Sequence, residues 1–86
     1  MIAVLKNTGP DGLESVCIGC RREVYTGLPI FCNPGDAGAF GFPGDSMVLV
    51  APICSICRAR DDLRRLLNLA KEAFRSGAEI EPCVGS

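Results

Sequence analysis

The chain has 86 residues, the length of one domain, and a domain this short buries so little surface that a stabilising cross-link or metal is expected. Its 48% hydrophobic content excludes an intrinsically disordered chain, and its net charge of −1 makes a nucleic-acid-binding protein less favoured. No stretch approaches the ~18–20 apolar residues of a transmembrane helix, and the apolar run 1–5 is too short for a signal peptide. We therefore expect an intracellular, cytoplasmic protein.

The N-terminal part of the chain is predicted to form strands and tight turns. Residues 1–6 predict a first buried strand, which a cluster of turn-forming residues then ends. Residues 14–25 alternate loosely and predict a small β-hairpin, with Cys17 and Cys20 in its turn and Gly19 supplying the permissive backbone there. In such a turn, backbone N–H groups point at the sulfurs and stabilise them as thiolates.

The middle of the chain, residues 27–44, contains eight Gly and Pro residues and is predicted to be irregular. The tripeptide Pro-Gly-Asp occurs at 34–36 and again at 43–45. Because Pro and then Gly fit the two central positions of a type II turn, we predict two turns. Residues 46–51 are β-formers and predict a strand that Pro52 ends.

The C-terminal part has the periodicity of one helical face. Ser55 can cap the start of a helix and Gly77 can stop it, which predicts one long amphipathic helix from about 55 to 76. The tail, residues 78–84, is predicted to add a short edge strand or to fray. The apolar residues that carry the helical period are Ala59, Leu63, Leu66, Leu67, Ala70, Ala73 and Phe74.

The spacing of the cysteines is the strongest signal in the sequence. Cys17 with Cys20 and Cys54 with Cys57 form two C-x2-C pairs, and each pair can bring two sulfurs to about 2.3 Å from one zinc ion. Two such pairs complete a tetrahedron that leaves no position for water or substrate, and the chain has no His. The sequence therefore predicts one structural Zn²⁺ held by these four cysteines, and no enzyme activity.

A hairpin with the first pair, a β segment, and a second pair that opens a helix together resemble the treble-clef group of zinc fingers. The resemblance covers roughly residues 14–76, although the long insert between the pairs departs from the compact members and identifies no specific family. It implies recognition of DNA, RNA or protein; the nuclease members need a His that this chain lacks. The expected fold is therefore α+β, a single zinc-binding domain over 1–86: a small zinc-clamped β-sheet with hairpins and one long C-terminal amphipathic helix.

Other uses of the cysteines stay open. A rubredoxin-like iron electron carrier has two similarly spaced pairs, but it favours Gly after each pair, where this chain has Arg21 and Arg58. Six cysteines could instead form three disulfides, in any of 15 connectivities. Cys32 is predicted to be a small core side chain and Cys83 a free thiol, and either could replace one of the four ligands.

Two aromatic residues are candidates for binding a protein partner. Phe40 and Phe42 stand two residues apart in a Gly-rich segment, so they would point to the same side if that segment were extended. They would then either cover the zinc module or form an exposed aromatic anchor.

Arginine-rich sequence near the predicted ligands suggests a second candidate surface. Segment 58–75 holds six basic and three acidic residues, a local charge of +3. Arg21, Arg22, Arg58 and Arg60 lie close to the ligands in sequence and can neutralise the −2 charge of a zinc tetrathiolate. The candidate residues for binding an acidic partner or phosphates are Arg58, Arg60, Arg64, Arg65 and Arg75.

We expect a non-enzymatic zinc-binding module that acts in protein–protein recognition, as an adaptor, a regulator or a small inhibitor of a larger assembly; a phage-type accessory protein would fit. A nucleic-acid-binding regulator of transcription or RNA that uses the Arg-rich helix is the alternative, and an iron electron carrier is a further one. A homodimer through the helix face is also open. No small-molecule substrate is expected.

Overall fold

A four-stranded sheet and three helices account for the regular structure in the computed structural model, which describes residues 1–9, 12–13 and 15–83. This arrangement confirms the predicted α+β class. In chain order the elements are β1 (Ile2–Lys6), β2 (Gly27–Cys32), α1 (Pro34–Ala39), β3 (Met47–Pro52), α2 (Ser55–Arg60), α3 (Leu63–Arg75) and β4 (Glu79–Pro82).

The strands lie in the order β2-β3-β1-β4, so that β2 and β4 are the two edges of the sheet. Strands β1 and β3 are parallel, while β2 runs antiparallel to β3 and β4 runs antiparallel to β1. One cross-strand row consists of Pro29, Val50, Val4 and Glu81. The neighbouring row on the same face contains Phe31, Val48 and Ile2.

The two faces of the sheet differ because side chains alternate along each strand. One face carries Ala3, Leu5, Ile30, Leu49 and Ala51, and these residues share the buried core with Leu66, Leu67 and Ala70 of α3. The opposite face lies outside that core. We call it the open face, and its apolar residues are Ile2, Val4, Pro29, Phe31, Val48 and Val50.

Several predicted elements are confirmed. Strand β1 matches the predicted 1–6, β3 matches the predicted 46–51 with Pro52 as its last residue, and β4 is a short edge strand within the predicted tail. The predicted hairpin is reduced to an antiparallel bridge between Val16 and Glu23. Residue 14 at its predicted start and residue 84 at the end of the predicted tail lie outside the described residues.

The prediction of an irregular segment over residues 27–44 is wrong for its first two thirds, whereas Pro43 and Gly44 lie in the second predicted turn, with Gly44 at φ 93. The segment contains strand β2, which tolerates Pro29 because an edge strand can leave a backbone position without an N–H donor. It also contains helix α1, in which Pro34 begins the first turn and the Asn33 side chain caps the backbone N–H of Asp36 at 2.8 Å. The first Pro-Gly-Asp therefore starts a helix rather than a type II turn.

The single helix predicted over 55–76 is also wrong, because the chain breaks at Asp61 and Asp62 into α2 and α3. Asp61 has an extended backbone with ψ 144. The Asp62 carboxylate accepts a hydrogen bond from the backbone N–H of Arg65 at 2.8 Å, which caps the start of α3. Aspartate competes well for a position that caps a helix, and this preference outweighs the continuous apolar period.

Candidate metal centre

The first cysteine pair lies in the tight turn that the Val16–Glu23 bridge closes. The backbone N–H of Cys17 donates to the carbonyl of Arg22 at 2.7 Å, and that of Arg21 donates to the carbonyl of Cys17 at 3.0 Å. Arg21 has φ 63, so the left-handed backbone conformation that this turn requires falls on an arginine rather than on Gly19.

Gly19 is needed for close packing rather than for the backbone conformation that was predicted. A Cβ at this position would lie 2.9 Å from Cys57 Sγ and 3.7 Å from Leu69 Cδ1. The turn therefore approaches the second cysteine pair so closely that it leaves no room for a side chain.

The second pair lies where β3 passes into α2. Cys54 is the residue that caps α2, and its sulfur accepts a hydrogen bond from the backbone N–H of Cys57 at 3.4 Å. The backbone N–H of Cys54 in turn donates to Cys17 Sγ at 3.3 Å. The carbonyl of Pro52 accepts from the backbone N–H of Ile18 at 3.0 Å. A backbone N–H is the donor in each of these contacts, and those from Cys54 to Cys17 and from Ile18 to Pro52 hold the two pairs against each other.

The structure brings the four predicted residues, Cys17, Cys20, Cys54 and Cys57, into one cluster. Their sulfurs all lie within 4.8 Å of one another, and Cys20 Sγ is 3.3 Å from Cys54 Sγ. Zinc with four thiolates at 2.3 Å would separate the sulfurs by about 3.8 Å. The cluster can therefore hold one tetrahedral metal ion with small adjustments. Cys17 and Cys57 are its buried half, while Cys20 faces solvent.

The thiols of the cluster differ in their acidity. The backbone N–H of Cys57 lowers the pKa of Cys54 to about 6. Burial, together with the neighbouring sulfurs, raises the pKa of Cys57 to about 12. Burial also acts to raise the pKa of Cys17, but hydrogen bonds from the backbone of Cys20, Cys54 and Gly19 outweigh it and the net pKa is lowered. Such crowding opposes ionisation of all four thiols unless a cation binds among them.

One predicted charge-neutralising arginine contacts the cluster. Arg60 Nη2 donates to Cys57 Sγ at 3.6 Å, and the same nitrogen lies 3.5 Å from Asp61 Oδ2. The hydrogen bond that Arg60 donates to the Asp61 carboxylate is the main reason that the pKa of Arg60 is raised. Arg21, Arg22 and Arg58 are exposed next to the cluster.

The remaining cysteines lie outside the cluster. Cys32 is buried in the core, as predicted, and Cys83 is exposed on the edge of the sheet. All six cysteines fall within the described ranges, and all six are free. The structure thus contains none of the three disulfides that were an alternative.

The prediction that Phe40 and Phe42 form an exposed aromatic anchor is not supported. Phe40 is only 2% exposed, and its ring meets that of Phe74 edge-to-face at a centroid distance of 5.8 Å. Phe42 is half-buried against the same core. The physical reason is that α1 and its C-terminal turn replace the extended segment on which the prediction rested. The sequence reasoning missed Phe31, which is 69% exposed on β2.

Comparison with known proteins assigns no family, because no protein-family model, curated protein or solved structure matches the chain. The resemblance to treble-clef zinc fingers therefore gains no support beyond the cysteine cluster itself. Over the described ranges, none of the helices has the length and apolar character needed to cross a membrane.

Proposed function

We propose that this chain is a small, non-enzymatic zinc-binding module that recognises another protein. The observation that carries the proposal is the cluster of four sulfurs within 4.8 Å, contributed by two C-x2-C pairs from distant parts of the sequence. The ion would join the turn after Val16 to the start of α2, so its role would be structural. A treble-clef relationship remains part of this proposal.

The chemistry of the cluster supports a structural rather than a catalytic role. Four thiolates fill a tetrahedral coordination shell and leave no position at which water or substrate could bind. The sequence has no His that could serve as a general base or as a ligand in an open site. A tetrahedral shell of four sulfurs suits zinc and also iron, and Arg21 and Arg58 stand where the rubredoxin-like alternative favours Gly.

The metal is tested by native mass spectrometry and elemental analysis of the purified chain. We expect one zinc per chain in the wild type and in Cys83→Ser, since Cys83 lies outside the cluster. We expect Cys57→Ser to lose the zinc and to be largely unfolded, because structural zinc supplies on the order of 10–16 kcal/mol of apparent binding free energy in small fingers. One iron per chain would favour the electron carrier, and a well-folded metal-free Cys57→Ser protein would rule out the structural role.

A surface along α2 and α3 is the best candidate for the partner. Ile56 and Leu63 are 53% and 61% exposed, and Arg58 and Arg64 are exposed in the same segment. Apolar side chains flanked by guanidinium groups fit a protein surface that presents acidic groups around an apolar contact. Such a partner is consistent with an adaptor or a small inhibitor of a larger assembly.

Nucleic acid remains the alternative partner, and the charges weaken it. Segment 58–75 has six basic and three acidic residues, but a zinc tetrathiolate beside it would contribute −2 and leave about +1. Arg60 and Arg65 also lie within 4.0 Å of the Asp61 carboxylate. Few arginines are therefore available for several phosphates at once, which is what tight backbone binding needs.

The two partners are distinguished by capture experiments at increasing salt. Protein recognition should survive moderate salt and should be lost in the double variant Ile56→Asp with Leu63→Asp. Nucleic-acid binding should instead weaken steeply with salt and should be abolished by Arg64→Glu with Arg65→Glu, while tolerating the apolar changes. Loss of a protein partner in both double variants would place the arginine contacts and the apolar contacts on one surface of this chain.

A further inference from the structure

The open face of the sheet is an apolar surface without a covering layer in the described part of the chain. Its six apolar residues form two adjacent rows, Phe31 with Val48 and Ile2, and Pro29 with Val50 and Val4. Val4, Val48 and Val50 are half-buried, and they lie outside the core that the helices share with the other face. A contiguous apolar patch of this kind marks an interaction site.

The edges of the sheet restrict how a partner can approach. Pro29 in the middle of β2 has no N–H donor, and β4 is short, with Glu79 and Glu81 exposed and Pro82 at its end. These are the devices by which edge strands avoid pairing with other strands. An occupant must therefore cover the face rather than extend the sheet.

The open face carries both a projection and a recess. Phe31 projects from β2 with 69% of its surface exposed. Four residues earlier on the same strand, Gly27 has no side chain, and Val4, Val50 and Tyr25 help to line a recess of about 160 Å³ beside it. A Cβ on Gly27 would collide with the Val50 side chain, so no side chain projects from the face at this position.

We propose that the occupant of the open face is a second copy of this chain. Phe31 and Gly27 lie two residues on either side of Pro29 and therefore on the same face as it. A two-fold axis that crosses the strands at the row of Pro29 and Val50 places Phe31 of each copy over the recess beside Gly27 of the other. Such a contact is isologous, since one surface supplies both the projection and the recess. The two sheets would stack about 10 Å apart, as in β-sandwiches.

The distribution of charged residues favours self-association through the open face over self-association through α2 and α3. The α2–α3 side presents exposed arginines, among them Arg58 and Arg64, and these like charges would face one another in a second copy even when a zinc tetrathiolate reduces the charge of segment 58–75 to about +1. The charged residues of the open face are Lys6, Glu79 and Glu81, at its β1–β4 side, and Lys6 forms an ion pair with Glu81. The homodimer that the sequence left open through the helix face is thus reassigned to the sheet.

The size of the open face limits the strength of the dimer. Four strands about 4.8 Å apart and about five residues long present roughly 300 Å² of projected face per copy. Two such faces give about 600 Å² of projected area, to which the projecting side chains add, and this places the contact among small, weak interfaces. We therefore expect a dissociation constant in the micromolar range. The inference does not depend on the identity of the metal or of the protein partner, and it leaves α2 and α3 of both copies facing outward.

The test is sedimentation velocity of the intact metal-loaded chain from about 5 to about 500 μM, a range that brackets micromolar affinity. The wild type should shift from monomer towards dimer over this range. Phe31→Glu should weaken association at least tenfold, whereas Leu63→Glu, an equally exposed apolar residue on α3, should leave it unchanged. A wild type that stays monomeric throughout, or a dimer that Leu63→Glu disrupts and Phe31→Glu does not, would overturn the proposal.

A second measurement locates the contact without disrupting it. The chain has no Trp, so Phe31→Trp introduces a single reporter on the open face. Its emission should shift to shorter wavelength as the concentration rises, in step with the sedimentation change, because the ring enters the recess of the partner copy. If the chain dimerises while the emission wavelength stays that of a solvent-exposed indole, a different surface associates.

Discussion

Lys71 Nζ of α3 lies 2.8 Å from Asp36 Oδ1 of α1, and this ion pair joins the two helices on the covered side of the sheet. The two side chains are only 17% and 13% exposed, so little water is available to either charge. The backbone N–H of Asp36 is also held by the cap of α1. The contact therefore fixes the position of a helix that has only six residues of its own.

We expect Lys71→Met to lower the free energy of unfolding by about 1–3 kcal/mol, because it leaves the Asp36 carboxylate poorly solvated and without its partner. Lys6→Met is the matched control, since Lys6 also forms an ion pair, with Glu81, but both of those side chains are exposed. Urea unfolding of both variants measures the difference. Equal and small effects would show that the Lys71–Asp36 pair contributes no more than a surface ion pair.

Phe40→Ala is expected to lower the free energy of unfolding by about 3–5 kcal/mol, because the ring is buried and packs edge-to-face on Phe74. Phe31→Ala removes an exposed ring of the same size and should leave the stability of the monomer nearly unchanged. Thermal unfolding at low protein concentration checks both. A stable Phe40→Ala protein that loses a binding partner would instead restore the aromatic anchor predicted from the sequence.

Gly19→Ala should weaken metal binding and cost about 1–3 kcal/mol of stability, because the new Cβ would press on Cys57 Sγ at 2.9 Å. Gly38→Ala is the control, because a Cβ on Gly38 would meet nothing nearer than Pro43 at 3.9 Å, and Gly38 lies in α1, where Ala is a better helix former than Gly. Competition with a metal chelator, followed by elemental analysis, measures the loss. Unchanged zinc retention in Gly19→Ala would mean that the turn can move away from the second pair.

Burial raises the pKa of the Cys32 thiol above its ordinary value of 9.0, and the nearby Asp36 carboxylate acts in the same direction. The folded chain therefore keeps this proton when the unfolded chain would release it. The associated stability is fully present below about pH 9 and is lost as pH rises through the folded pKa. Cys32→Ala should show a shallower loss of stability than the wild type above pH 9 in urea unfolding. Identical slopes would contradict the assignment.

The sequence predicted the parts of the fold that depend on local patterns. The spacing of Cys17, Cys20, Cys54 and Cys57 indicated the cluster, and the β-forming runs gave β1 and β3. The same reasoning failed where a neighbour decides the conformation. Pro29 argues against a strand unless β2 is known to be an edge strand. Which strand lies at an edge is known only once the whole sheet is assembled.

Capping explains the other failures. Asn33 before Pro34 and Asp62 before Leu63 both carry the side chain that starts a helix, whereas the local patterns predict a turn at 34–36 and one uninterrupted helix over 55–76. The exposed position of Phe31 could not be found from the sequence either. It depends on which face of the sheet the helices cover, and neither face is marked by composition alone.

The separation of the two cysteine pairs also bears on how the chain folds. Cys20 and Cys54 meet although 34 positions separate them in sequence, and β2, α1 and β3 all lie in the loop between them. A metal ion bound by both pairs acts on the unfolded chain as a covalent cross-link would, and a loop of this length corresponds to about 4 kcal/mol of lost chain entropy at 25 °C. Metal captured before the sheet forms would shorten the search for the β2–β3 pairing. Metal added after the chain has collapsed would not shorten this search. The refolding rate should therefore depend on whether metal is added before or after refolding begins.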